Sequence, residues 1–87
     1  MKEAYRTVLK RILCQWIGTT RISYDMTQTE MAEELLIDVR SYADIDRGVS
    51  LCGTLTLVLF LVYSCKEPAA LLSEIRTAFD EVRRHDA

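Results

Sequence analysis

Two helix-start signals lie close together in the middle of this chain, and they constrain its fold more than any other feature. Thr27 precedes an apolar helical pattern and is followed three residues later by Glu30. At this spacing a threonine and a glutamate cap the first amides of a helix reciprocally. Asp38 provides a second N-cap, and Gly48 stands where a C-cap is expected. The segment 26–48 therefore predicts two short helices joined by a tight turn.

The same segment resembles the DNA-binding domains of the lambda-repressor-like, or Xre-type, family of bacterial and phage regulators. That family has a Thr-Gln opening, then Leu-Ala, a glycine in the turn, a serine at the second cap, an isoleucine and an Ile-Glu-x-Gly ending. The corresponding residues here are Thr27-Gln28, Met31-Ala32, Leu36, Asp38, Tyr42 and Ile45-Asp46-Arg47-Gly48. The resemblance implies an all-α, five-helix lambda-repressor-like DNA-binding domain with a helix-turn-helix motif at about residues 27–47.

Helical periodicity continues outside the motif, and a chain of this length is expected to form one domain over residues 1–87. Ser50 is the expected cap of the fourth helix. Pro68 suits the first position of the fifth, because proline has no amide that would stay unpaired there. Gly18 is the point at which the first helix is most prone to break, since glycine costs about 1 kcal/mol relative to alanine. The predicted helices cover about residues 3–23, 28–36, 39–46, 51–64 and 68–84.

The fourth predicted helix is apolar on every side over the run LTLVLFLVY, residues 55–63, so it needs packing partners all round. Either it lies at the centre of the core, or part of it forms a homodimer seam with helix five. The run is much shorter than the roughly 20 residues of a membrane span, so no membrane association is predicted. The expected inward face of helix five consists of Leu71, Leu72, Ile75, Ala78, Phe79 and Val82.

Composition argues against several classes of protein. Cys14, Cys52 and Cys65 are widely spaced in apolar patterns, so we expect buried, reduced thiols rather than a disulfide framework or a metal site. The single histidine, His85, lies in the polar tail, and no glycine-rich phosphate loop is present. The sequence thus predicts a protein that is not an enzyme and takes no cofactor, metal or small-molecule ligand. No signal peptide is evident, so a cytoplasmic location is expected.

The resemblance also assigns contacts with DNA, because the second helix of such a motif lies in the major groove. Contacts with base edges are expected from Val39, Arg40, Ser41 and Asp44. Contacts with phosphates are expected from Thr27, Gln28, Thr29 and Arg47. Arg40 is the best reader of guanine, Val39 suits a thymine methyl, and Asp44 can accept only from cytosine. Alternatively, Arg40 pairs with Asp44 four residues later.

Two further expectations concern the interior of the motif. In repressor domains of this type an arginine late in helix one pairs with the acid of the Ile-Glu-x-Gly segment, and Arg21 and Asp46 occupy these positions. Tyr42 and Ile45 are expected to face the core. Leu36 replaces the usual turn glycine, so it either adopts a left-handed conformation, at a cost of about 1 kcal/mol or more, or the turn is different.

These expectations lead to two hypotheses about function. The first is sequence-specific binding of double-stranded DNA by a small Xre-type transcriptional regulator. It would act as a homodimer through helices four and five, because a domain with few cations binds DNA weakly as a monomer. The second is a degenerate helix-turn-helix scaffold that serves as a protein-protein interaction module. Residues 25–50 contain seven acidic and two basic side chains, a net charge of minus five, which favours the second hypothesis.

Overall fold

The computed structural model describes residues 2–85, and within that range the chain is helical and contains no strand. This confirms the predicted all-α class with five helices. A single π-helical turn, Phe60–Ser64, continues the fourth helix. Within the described range, none of the helices combines the length and apolar character that a bilayer crossing needs. The helices are α1 Lys2–Ser23, α2 Gln28–Glu34, α3 Val39–Asp46, α4 Thr54–Leu59 and α5 Pro68–His85.

The fully buried apolar side chains come from α1, α2, α3 and α5, the C-cap of α2 and the π turn, and Leu57 and Leu59 of α4 pack against them while only partly buried. Tyr42 and Ile45 lie three residues apart on α3 and are 0% and 5% exposed, so α3 buries one face and leaves the other in solvent. This confirms their predicted place in the core. The buried apolar residues are Ile12, Leu13, Ile17, Met31, Ala32, Leu35, Tyr42, Ile45, Phe60 and Leu71.

The long helix α1 is continuous, so the possible break at Gly18 does not occur. Helix α5 packs along α1 in the antiparallel sense. The rings of Tyr5 and Phe79 meet edge to face with their centroids 4.9 Å apart. Further along α1, Trp16 Nε1 donates a hydrogen bond to Glu74 Oε1 at 3.0 Å. These contacts fix α5 against one side of α1. Helix α3 packs against a different part of α1.

Leu36 determines where α2 ends. Its φ is 57°, so it adopts the left-handed conformation considered from the sequence. The amide of Leu36 donates to the carbonyl of Glu33 at 3.2 Å, and the amide of Ile37 donates to that of Ala32 at 3.0 Å. This pair of bonds is the Schellman pattern of a helix C-terminus. Because a left-handed residue cannot continue a helix, α2 ends at Glu34 rather than at the predicted residue 36.

The predicted start of the fourth helix at residue 51, with Ser50 as its cap, is wrong. Helix α4 begins at Thr54, and its N-cap is Gly53, whose backbone is extended. The amide of Ser50 instead donates to the carbonyl of Asp44 at 3.2 Å. Ser50 therefore belongs to the turn that closes α3, three residues before the N-cap of α4.

Helix α4 and the π turn that continues it are less buried than a central core helix would be. Leu55, Val58 and Val62, spaced three and four residues apart, are 64%, 46% and 63% exposed. We call these three residues the apolar stripe. Thr56 and Phe60, on the other side, are buried. The expectation that Leu72 faces inward is also wrong, because Leu72 is 55% exposed whereas Leu71 beside it is fully buried.

The three cysteines form no disulfide, and each of them is only partly buried. The expectation of buried thiols is therefore wrong in degree. Cys14 lies on α1 near the end of α3, while Cys52 and Cys65 flank α4 and the π turn. Burial raises the pKa of the Cys52 thiol, which therefore remains protonated at neutral pH.

Candidate functional site

The outer face of α3 begins with three exposed residues, Val39, Arg40 and Ser41. Their position is fixed by Asp38, whose Oδ1 accepts a hydrogen bond from the Ser41 amide at 2.7 Å. The Ser41 hydroxyl donates to Asp38 Oδ2 at 3.1 Å, so this hydroxyl is already engaged. These hydrogen bonds from Ser41 lower the pKa of the Asp38 carboxyl. The start of α3 is thus ordered by its own cap and remains open to solvent.

Arg40 makes no ion pair or hydrogen bond with another side chain within residues 2–85. The alternative pairing of Arg40 with Asp44 is not formed. Asp44 Oδ1 instead accepts from Arg47 Nη2 and forms a salt bridge three residues along the helix. The guanidinium of Arg40 is therefore available to an external acceptor, while that of Arg47 is shared with a carboxylate.

The start of α2 is closed by the predicted capping box. Thr27 Oγ1 accepts from the Glu30 amide at 3.1 Å, and Glu30 Oε1 accepts from the Thr27 amide at 2.8 Å. Thr29 is exposed. Gln28 is partly buried, and its Nε2 donates to Asp46 Oδ2 at 3.0 Å. Of these three candidate phosphate contacts, Thr27 and Thr29 face solvent, and Gln28 is directed toward the end of α3.

Asp46 is the centre of a group of polar side chains from three helices. Arg21 Nη2 lies 3.7 Å from Asp46 Oδ2, so the structure brings together the two residues expected to pair. Tyr42 also donates its hydroxyl to Asp46 Oδ1 at 3.3 Å. The side chains of Arg21 and Asp46 are 21% and 15% exposed. We call Arg21, Gln28, Tyr42 and Asp46 the Asp46 cluster.

One face of α1 contacts the end of α3 through residues that the sequence analysis did not assign to the site. The Cys14 thiol donates to the carbonyl oxygen of Asp46 at 2.9 Å. A Cβ atom placed on Gly18 would lie 3.0 Å from Asp46 Oδ1, so the absence of a side chain permits this close approach. The sequence does contain a signal for this contact face. Successive spacings of four and three residues place Cys14, Gly18 and Arg21 on one face of α1.

The Asp46 cluster positions helices, and its surroundings keep the Tyr42 hydroxyl and the nearby Cys14 thiol protonated. Burial, followed by the charge of Asp46, raises the pKa of Tyr42 to about 12. The same two causes raise the pKa of the Cys14 thiol. Both groups are therefore neutral at physiological pH. Arg21 Nη1 also donates to the carbonyl of Met26 at 3.0 Å, which binds the α1–α2 connection to the cluster.

No grouping of three or more His, Cys, Asp or Glu side chains suited to a metal ion occurs in the part of the chain that the structure describes. The exposed residues at the starts of α2 and α3 offer hydrogen-bond donors and the unpaired guanidinium of Arg40. These groups are suited to recognition of a polar or anionic partner. No protein-family model, curated protein or solved structure matches this chain.

Proposed function

We propose that this chain binds duplex DNA through α2 and α3, as a small, non-enzymatic transcriptional regulator of the lambda-repressor-like, helix-turn-helix type. The observation that carries the proposal is Arg40, an exposed arginine without an acidic partner among the described residues, at the second position of α3. The opposite face of α3 is buried through Tyr42 and Ile45. A guanidinium so placed can donate two hydrogen bonds to O6 and N7 of a guanine in the major groove.

The turn between α2 and α3 supports this assignment. Leu36 has the left-handed backbone for which the family usually has glycine. Arg21 and Asp46 stand in contact at the two positions where the family is expected to have its ion pair. If the motif were aligned one residue earlier or later, Leu36, Arg21 and Asp46 would no longer fall at these positions of the family pattern. Their agreement therefore favours the alignment from which the proposed DNA contacts are taken.

The geometry narrows the set of proposed contacts. Ser41 and Asp44 are engaged with neighbouring side chains, which leaves Arg40 as the main reader and Val39, 44% exposed, as a contact for a thymine methyl. Thr27 and Thr29 can donate to a phosphate at the start of α2. Gln28 acts differently from the expectation, because its amide donates to Asp46 and so holds α2 against α3.

We further propose that the regulator is a homodimer through helices four and five. Each protomer presents few cations, so two protomers are needed for a useful number of phosphate contacts. The apolar stripe on α4 and the π turn is available for the dimer seam. Residues 48–65 contain no charged side chain, so two copies of the stripe meet without like-charge repulsion. A two-fold arrangement would place the two α3 helices about 34 Å apart on a pseudo-palindromic site.

Fluorescence anisotropy with a mixed-sequence duplex at low and at moderate salt tests the proposal. We expect binding at low salt that weakens steeply as salt rises, because counterions are released from the DNA. Absence of binding at low salt would refute it. Light scattering tests the dimer separately: the wild type is expected to be dimeric and Val58→Glu monomeric, and a wild-type monomer at high micromolar concentration would exclude the seam.

Selection of bound sequences from a random duplex pool tests the role of Arg40. The Arg40→Ala variant should lose its preference at one base pair, whereas equal weakening on all sequences would make Arg40 a phosphate contact. Arg76→Ala is the matched control, because Arg76 is an exposed arginine on α5, away from α3. It should leave the preference unchanged.

The second candidate function is a protein-interaction module, and the acidic surface of α2 favours it. Glu30, Glu33 and Glu34 border one shallow pocket together with the half-buried Met26. These carboxylates would repel a nearby phosphate backbone and would suit a basic segment of a protein partner. The low-salt titration separates the two functions, since the module predicts no binding to duplex DNA under any salt condition.

A further inference from the structure

We infer that Lys10, Arg11 and Arg47 together hold a backbone phosphate of the duplex, in a pocket between α1 and the end of α3. This inference rests on the proposed function and adds a contact outside the α2–α3 segment. The pocket is open and has a volume of about 500 Å³. We call it the basic pocket, because these three cations are the only charged residues among those described, 2–85, that line it.

The charge of the basic pocket is only partly balanced within the protein. Among residues 2–85, Lys10 and Arg11 form no ion pair with a carboxylate, and only Arg47 has such a partner, Asp44. The nearby carboxylate of Asp46 is engaged by Arg21. A concave surface lined by charge of one sign concentrates its field and attracts an ion of opposite sign. An anion in the pocket would relieve the mutual repulsion of the three cations.

The remaining lining suits phosphate oxygens. Thr7 and Gln15 also border the pocket and carry side-chain donors, a hydroxyl and an amide. Cys14 adds no negative charge, because its raised pKa keeps the thiol protonated. Gly48 lies against Cys14, and a Cβ there would be 3.7 Å from the sulfur, so the glycine leaves this side of the pocket uncovered. The pocket thus combines cations with neutral donors.

Arg47 connects the basic pocket with the proposed reading surface. Arg40, Asp44 and Arg47 follow one another at spacings of four and three residues, so they share the outer face of α3. When this face lies in a major groove, the backbone that borders the groove passes the end of α3, where Arg47 and the pocket are located. This continuity favours a phosphate of the same duplex as the ligand over a free anion.

The test compares two double variants that remove equal charge. Lys10→Gln with Arg11→Gln changes the pocket, and Lys2→Gln with Arg6→Gln changes exposed cations near the start of α1, outside the pocket and outside the proposed dimer seam. Duplex affinity is measured by anisotropy over a series of salt concentrations. For the pocket variant we expect weaker binding at low salt, a salt slope smaller by about one, and an unchanged sequence preference. The control should keep the wild-type slope.

The outcomes separate this inference from the function on which it rests. If the wild type binds duplex DNA and the two double variants behave alike, the pocket assignment is overturned and the proposed function stands. If the wild type binds no duplex at low salt, both fail. An NMR titration with inorganic pyrophosphate addresses a free anion as ligand: saturation at micromolar concentration, with shifts limited to residues around the pocket, would overturn the assignment to a DNA phosphate.

Discussion

Residues 27–48 and residues 49–65 are neighbouring segments that are held in place in different ways. In the first, Thr27 and Asp38 cap the starts of α2 and α3 with their own side chains, and a left-handed Leu36 ends α2. In the second, α4 starts at Gly53 without a side-chain cap and passes into a π turn. Local hydrogen bonds set where the helices of the first segment begin and end, whereas the start of α4 depends on contacts with the rest of the protein.

The difference shows that a helix start with a side-chain cap is set locally, whereas a start without one is set by tertiary contacts. None of the short helices α2, α3 and α4, with seven, eight and six residues, is stable alone in water, but only α4 among them starts without a side-chain cap. Its position follows from the burial of Phe60 and Thr56, and from the Thr56 hydroxyl, which donates to the carbonyl of Leu35 at 3.4 Å. Substitutions that add or remove a local restraint should therefore affect the two segments differently.

The largest expected effect comes from Asp46→Ala, which removes the shared acceptor at the end of the first segment. Arg21, Gln28 and Tyr42 would lose their partner in a largely buried place. We expect the free energy of unfolding, measured by urea denaturation, to fall by about 3 kcal/mol.

Asp46→Asn is the matched control for that variant, because it keeps the shape of the side chain and one of its two acceptor oxygens, so that the bond from either Gln28 or Tyr42 remains. Arg21→Met should cost more alone than in combination with Asp46→Asn, since the single change leaves a buried carboxylate without its cation. A fall of less than about 1 kcal/mol for Asp46→Ala would mean that the cluster does not hold the segment.

Leu36→Gly tests the one strained position of the first segment. The side chain is 71% exposed, so little burial is lost, and the φ of 57° is unfavourable for any residue with a Cβ atom. We expect a gain of about 0.5 to 1 kcal/mol, after the added freedom of the unfolded chain is subtracted. Leu36→Ala keeps the Cβ and should show no such gain. Equal stability of the glycine and alanine variants would contradict this account.

Gly53→Ser gives the second segment the cap that it lacks. The backbone of Gly53, with φ −72° and ψ 168°, is that of an ordinary N-cap, and a Cβ there meets no atom within 4 Å. We expect a rise in thermal midpoint that corresponds to about 0.5 kcal/mol. Gly53→Ala adds the Cβ without the oxygen and should not stabilise. A gain of the same size from alanine would show that chain entropy, rather than capping, is responsible.

The smallest expected effect is the pH dependence that Asp38 contributes. Its hydrogen bonds with Ser41 lower its pKa in the folded state below the ordinary 3.8. The stability that it adds is therefore present above that value and is lost as the pH falls through the lower, folded value. Asp38→Asn retains an N-cap but does not titrate, so its unfolding midpoint should vary less between about pH 2 and pH 6. Identical profiles for both proteins would contradict the assignment.

The sequence was sufficient where a boundary depends on adjacent residues. The predicted range of α3 agrees with the structure because Asp38 is a strong cap, and α5 begins at Pro68 for the same kind of local reason. The start of α4 could not be predicted, because Ser50 is an equally acceptable cap in isolation. Only the bond from its amide to Asp44 shows that it belongs to the turn after α3.

The candidate site shows the same limit. The pairing of Arg21 with Asp46 could be predicted from the resemblance, and the outward position of Arg40 could be predicted from its place in the motif. The contacts of Gln28 and Cys14 with Asp46 join three helices, so no local pattern contains them. Helical spacing predicts an inward position for Leu72 because it identifies an apolar face but does not show how much of that face a neighbouring helix covers.

The glycine contact between α1 and α3 affects how the outer surface of α3 is presented. Gly18 lets the carboxylate of Asp46 approach α1 closely, and Arg21 and Cys14 of α1 contact the same residue. A rotation of α3 about its own axis would therefore break these contacts with α1. A partner that docks on the outer surface of α3 therefore meets a preorganised, stiff platform. Little conformational entropy remains to be lost on association, so affinity is set mainly by the few side chains that make contact.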